Sequence, residues 1–112
     1  MKRGEIWTVA AGKGYAGKPR PAVIIQDDRF DATASVTLAI FTTDTTEAPL
    51  FRLRIEPSPA NGLRDSSHLM VDKVVTVARQ SLGKRIGELD DADRVRLDRS
   101  LLVFLGLAGR RP

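Results

Sequence analysis

Gly12-Lys13-Gly14-Tyr15-Ala16-Gly17-Lys18-Pro19-Arg20-Pro21-Ala22-Val23-Ile24-Ile25-Gln26 is a glycine-rich loop that runs through Arg20-Pro21 into an apolar segment. Glycines at 12, 14 and 17 allow positive φ and close approach of backbone to a ligand, and Lys13, Lys18 and Arg20 surround them with positive charge. That combination suits a phosphate. Val23, Ile24 and Ile25 are β-branched and read as a buried strand, with Arg20 held at its rim by the fixed φ of Pro21. A charged group on a stiff strand end is better placed for chemistry than one on a free loop. The same residues also suit a plain turn followed by a solvated arginine.

Working outward, a chain of 112 residues with 42% hydrophobic content is expected to form one domain, residues 1–112, with a small core that a second copy would help to cover. The absence of cysteine excludes a disulfide framework, a thiolate metal site and a cysteine nucleophile. His68 is the only histidine, so no zinc site and no cofactor are expected; carboxylate ligands for magnesium stay open. Met1-Lys2-Arg3 leads directly into a strand-like segment, without an apolar signal core or a bilayer-length span, which predicts a cytoplasmic protein with no membrane partner. The net charge is +4. Asp90, Asp91, Asp93 and Asp98 gather acid near the C-terminus, while residues 1–89 hold 13 basic against 10 acidic side chains, so a positive face is expected on the β-rich part.

Gly4 to Val9 reads as a first strand, with Trp7 as a core anchor. After the Arg20 strand, Asp28 is expected to cap one short helical turn, and Ser35 to Phe41 forms a third strand with Thr42 and Thr43 at its end. Leu50 to Ile55 alternates, with Phe51, Leu53 and Ile55 inward and Arg52 and Arg54 outward. Pro57, Pro59 and Asn61-Gly62 mark a turn. Two short strands, His68 to Val71 and Val74 to Ala78, and a smaller one around Arg85 to Gly87 follow. Asp90 begins the one long helix, with Asp93 in its first turn; Leu97, Leu101, Phe104, Leu105 and Ala108 share the face expected to lie on the sheet.

Five blocks in this order, Arg3-Gly4-Glu5-Ile6-Trp7, Gly17 to Gln26, Phe41-Thr42-Thr43, Met70-Val71-Asp72-Lys73 and Gly83-Lys84-Arg85-Ile86-Gly87, closely resemble the MazF/PemK family, the toxin components of bacterial toxin-antitoxin modules. The resemblance covers Arg3 to about Leu107. It implies a mainly β chain with α: a compact SH3-like β-barrel of about six to seven short strands with a C-terminal helix, usually a homodimer. It also implies a metal-independent endoribonuclease acting on single-stranded RNA, mRNA or tRNA, and a cognate antitoxin whose acidic segment lies in the RNA groove.

Such an enzyme must remove the 2′-hydroxyl proton, stabilise charge on the attacked phosphate and protonate the departing 5′-oxygen, leaving a 2′,3′-cyclic phosphate and a 5′-hydroxyl. Arg20 and Thr42 match the family's active-site arginine and threonine: the first can clamp the phosphate, the second can donate a hydroxyl to it. Asp72 matches an aspartate that some members use, but Met70 stands where those members have an arginine, and Asp72 equally suits a structural carboxylate paired with Lys73 or an arginine. Tyr15, in the loop where others carry a glutamate or histidine, could donate a proton or stack on a base. His68 has the ordinary titration range for acid-base work but lies outside the family pattern. Phe51 resembles a groove-lining position, although its alternation points inward. Lys18, Thr43, Lys84 and Arg85, with Arg52 and Arg54, are candidate RNA contacts. Two alternatives stand beside the ribonuclease: a non-catalytic RNA-binding module, and a gyrase-binding toxin of the same fold. The second depends on a tryptophan near the C-terminus that this chain lacks.

Overall fold

The structure is a computed structural model and describes residues 1–10, 19–44, 47–48 and 50–109. The glycine-rich loop, with Tyr15 and Lys18, lies outside the described residues. Strands β1 (Glu5–Ala10), β2 (Pro19–Ile24), β3 (Ser35–Thr42), β4 (Arg52–Ile55), β5 (Ser67–Ala78) and β6 (Leu82–Glu88) precede helix α1 (Asp91–Phe104). The six strands form one antiparallel sheet in the order β4-β5-β3-β2-β1-β6, the mainly β, barrel-like architecture with a terminal helix that the sequence predicts. Among the described residues no helix is long and apolar enough to cross a membrane.

Alternation along the strands divides the side chains between two faces. Ile6, Val23, Ala39, Phe41, Leu53, Ile55, Leu69 and Val71 point to the interior, where Leu63, Leu89 and Leu97 of α1 complete the core. Val9, Ala22, Leu38, Ile40 and Met70 form a smaller cluster on the opposite face. The sheet edges are joined through the segment that links β4 to β5. Glu88 N–H donates to the Ala60 carbonyl at 3.0 Å, and Asn61, 4% exposed, accepts from Ser58 N–H and Leu63 N–H and donates to Glu56 O. A Cβ at Gly62 (φ +70°) would stand 2.0 Å from Ile86 O, and one at Gly87 2.4 Å from Ala60 O. Only backbone without side chains passes this closely.

The last strand pair expected from the sequence is one strand of 12 residues. The polar Asp72-Lys73 interruption is a bulge: Ala39 pairs with Val74 and Phe41 with Leu69, so Met70 to Lys73 lie opposite Ile40 alone. Arg52 from β4 grips the bulge through Asp72, with Nε at 2.8 Å from Oδ1 and Nη2 at 3.2 Å from Oδ2. Arg52 is therefore only 14% exposed in its side chain, not turned out to solvent. Bonded by Arg52, the Asp72 carboxyl is held below its usual range.

Three further expectations are corrected. Trp7 is half-buried, its indole donating to Glu5 Oε1 at 3.0 Å, because alternation sends Ile6 rather than Trp7 inward. Asp27, not Asp28, caps the short 3-10 turn at Asp28–Phe30, while Asp28 accepts from Arg3 N–H. The helix starts as expected, with Asp90 accepting from Asp93 N–H at 2.8 Å, but its apolar stripe outruns the sheet. Leu97 is buried and Leu101 half-buried, while Phe104 and Leu105 are exposed and Ala108 lies beyond the helix end. Periodicity identifies the face but not how far the partner surface extends.

Substituting Gly87 by Ala is expected to destabilise the fold by about 2–3 kcal/mol, because the new methyl meets the backbone of Ala60 and Asn61, which a flexible side chain cannot relieve. A urea-unfolding midpoint checks it. The Asp72–Arg52 pair makes a pH-dependent contribution. A carboxyl whose folded pKa is depressed stabilises above its unfolded value and ceases to do so as pH falls through the folded value. Asp72→Asn should therefore lower stability by on the order of 1–3 kcal/mol at neutral pH, with the difference from the parent closing below about pH 4 in thermal melts.

Candidate functional site: the strand ends around Arg20 and Thr42

The ends of β1, β3 and β4 and the beginnings of β2, β5 and β6 meet at one end of the sheet. Val9 pairs with Arg20 across β1 and β2; Ala22 pairs with Ile40 across β2 and β3, the last pair of that ladder, and Arg20 and Thr42 each lie two residues beyond it, at even spacing and so on the same face. Thr42 pairs in turn with His68, and His68 with Arg54. Arg20, Thr42, His68 and Arg54 thus follow one another across β2, β3, β5 and β4. They share the face opposite the interior core, since each stands at even spacing from a member of the smaller cluster or is paired with one that does. Neighbouring strands run about 4.8 Å apart, so side chains of adjacent members can reach one small anion. The row offers a guanidinium, a hydroxyl, an imidazole and a second guanidinium.

Arg20, Thr42 and His68 are half-buried. The Thr42 hydroxyl accepts from Asp44 N–H at 3.1 Å and keeps its own hydrogen to donate. Arg54 is more exposed and bonds Glu56 Oε1 at 2.6 Å and Ser66 Oγ at 3.1 Å. One row further along, Met70 is buried beside Arg52, and Asp72 is engaged by that arginine rather than by Lys73.

The other sequence-predicted residues divide. Thr43 lies on the far face from Thr42 and lines a cleft of about 540 Å³ with Thr8, Pro21, Arg64 and Lys84, at the mouth of the core. Lys84 N–H donates to Thr8 Oγ1 at 3.0 Å, which fixes the start of β6 there. Arg85 sits apart: it pairs with Glu5 at 3.1 Å and reaches Glu88 at 3.8 Å. Burial by itself would raise the Glu5 carboxyl, but hydrogen bonds from Lys2 N–H, Trp7 and Arg85 outweigh it and hold the group below its usual range. Phe51 packs on the interior core with its ring 6.4 Å from that of Phe104. Tyr15 and Lys18 lie outside the described residues.

Among the described residues no three His, Asp or Glu side chains form a group that could hold a metal ion. Sequence reasoning passed over the placement of His68 and Arg54 in the row and of Arg64 in the cleft. The signal for the first two is the pairing of β5 with both β3 and β4, which one sequence does not contain.

Comparison with known proteins assigns the family. Residues 2–105 match the family described as PemK-like, MazF-like toxin of type II toxin-antitoxin system. A protein of Mycolicibacterium smegmatis named Probable endoribonuclease MazF is 64% identical over 97% of this chain and all of its own length. Endoribonuclease MazF9 of Mycobacterium tuberculosis is 28% identical over 96% of this chain and 98% of its own. Among solved structures, a mycobacterial endoribonuclease in complex with its cognate antitoxin superimposes with a TM-score of 0.80 at 22% identity, covering 98% of this chain and 99% of that one. With a family match across almost its whole length, and a sheet and helix arranged as in solved relatives, the chain belongs to the PemK-like, MazF-like toxin family of type II toxin-antitoxin systems.

Proposed function

We propose that this toxin is a metal-independent endoribonuclease that cleaves single-stranded RNA, mRNA or tRNA, at selected sequences. The 2′-oxygen attacks the adjacent phosphate, leaving a 2′,3′-cyclic phosphate and a 5′-hydroxyl. The observation that carries the reading is the placement of Arg20 and Thr42 on one face at adjacent strand ends, each two residues beyond the Ala22–Ile40 pair. Arg20 neutralises charge growing on the phosphate oxygens, where a guanidinium is worth most in a partly dry groove. Thr42 donates its hydroxyl to the same oxygens. The 64% identity to a probable endoribonuclease supports the activity class.

Asp72 is the less suited of the three catalytic candidates. A carboxylate bonded twice by Arg52 and held below its usual range is a weak proton acceptor near neutrality, so its part is to aim Arg52 and shape the bulge. Thr43 and Lys84, on the cleft beside the row, contact flanking RNA, and Lys18 and Tyr15 are further candidates for the same strand; Arg85, paired with Glu5, and Phe51, packed on the interior core, are committed elsewhere. A second chain copy and a cognate antitoxin with an acidic segment belong to this reading, as does action in the cytoplasm. The solved relative in complex with its antitoxin supports that partner class. The buried Met70 and the engaged Asp72 also favour a second reading, an RNA-binding module without cleavage.

Purified protein incubated with mixed-sequence single-stranded RNA in chelator should give discrete fragments with 5′-hydroxyl ends. Arg20→Ala should lower kcat/KM about 10²–10³-fold, and Thr42→Ala about tenfold. Bound but intact RNA would select the second reading. Lys84→Gln should reduce the slope of log affinity against log salt by about 0.7, measured by fluorescence anisotropy on an uncleavable 2′-deoxy strand.

A further inference from the structure

We propose that His68 is the proton acceptor for the 2′-hydroxyl, an inference that rests on the ribonuclease reading above. The sheet sets Thr42 directly opposite it on β3 and Arg54 directly opposite it on β4. Side chains paired across antiparallel strands leave Cβ atoms about 4.5–5.5 Å apart, so a phosphate held by Arg20 and Thr42 stands within reach of the imidazole. His68 is half-buried, and among the described residues its ring makes no hydrogen bond or ion pair, which leaves both nitrogens for a bound group.

The charged groups around it are few. Arg54, with Glu56, faces it from β4; Arg20 and Asp44 flank Thr42 on the β3 side. Asp72, further along β5, is turned to Arg52. No carboxylate among the described residues bonds the ring.

The step balances with the groups named. Neutral imidazole removes the 2′-hydroxyl proton as the O2′–P bond forms and the P–O5′ bond breaks. The departing 5′-oxygen takes a proton from water, and the hydroxide left behind recovers the proton from the imidazolium. No oxidant, reductant or co-reactant beyond water is needed.

The test is single-turnover cleavage of an RNA that the full chain cuts, followed from about pH 5 to 9, for the parent, His68→Gln and His68→Ala with and without added imidazole. His68→Gln should cut about 10²–10⁴-fold more slowly, bind the 2′-deoxy strand as the parent does, and lose the rise in rate with pH that the parent shows. Imidazole should restore part of the rate to His68→Ala. A His68→Gln rate within about threefold of the parent, while Arg20→Ala is inactive, overturns the assignment and leaves the ribonuclease standing. So does a parent rate that does not rise anywhere between about pH 5 and 9, a measurement that needs no variant to fold. A parent that cuts no RNA removes the ribonuclease and this inference with it.

Discussion

Backbone laid on backbone, where residues 60–62 cross β6 at Ile86 and Gly87, is the contact on which the sheet's shape depends. No ladder joins β4 to β6 among the described residues, and this crossing stands in its place. Asn61 makes it tight. Its amide satisfies Ser58 N–H, Leu63 N–H and Glu56 O while buried, so the loop folds on itself and does not need a partner side chain. Leu63, delivered by the same turn, enters the core. The segment that closes the sheet also leads into Ser67 and His68, so the closure fixes where β5 begins and therefore which residue faces Thr42.

Strand alternation then separates two tasks that the sequence writes side by side. Thr42 and Thr43 are consecutive, yet one stands in the row with Arg20 and the other lines the cleft with Lys84. A strand end is stiff enough to keep that division, whereas a loop would let both hydroxyls wander to either side. The bulge at Met70 to Lys73 serves the same end. It allows one long strand to pair with β4 through Met70 and with β3 through both its halves, and the Arg52–Asp72 bond sits where ladder hydrogen bonds are interrupted.

How much of this was legible depended on whether the information was local. The strands around Val23, Leu38 and Leu53 were evident from β-branched runs and alternation, and the helix start from Asp90 and Asp93. Arg20 and Thr42 were marked by residue type, the fixed φ of Pro21 and family resemblance. What stayed hidden was long-range. The interruption at Asp72-Lys73 looked like a gap between strands, because nothing nearby says that Arg52 holds it together. His68 looked like an ordinary strand histidine because its importance lies wholly in what stands opposite. Trp7 looked like core because size and apolarity suggest burial, but Glu5 and Arg85 occupy its side of the sheet.

Charge shows the same limit more sharply. A basic chain with many arginines invites the inference that arginines meet RNA, yet several are committed to the fold: Arg3 to Asp98, Arg52 to Asp72, Arg94 to Glu88 and Arg96 to Asp93. Arg94 also bonds the carbonyls of Leu89 and Arg3, and Arg96 that of Arg54, so these side chains fasten the helix to the sheet's ends. Net charge therefore overstates the attraction available to a polyanion. Each paired arginine would have to leave a carboxylate behind to join a phosphate, at the greatest cost where that carboxylate is least exposed, as Asp72 and Asp93 are. The strand ends are not exempt: Arg54 bonds Glu56, so an anion arriving there also competes with a partner already in place.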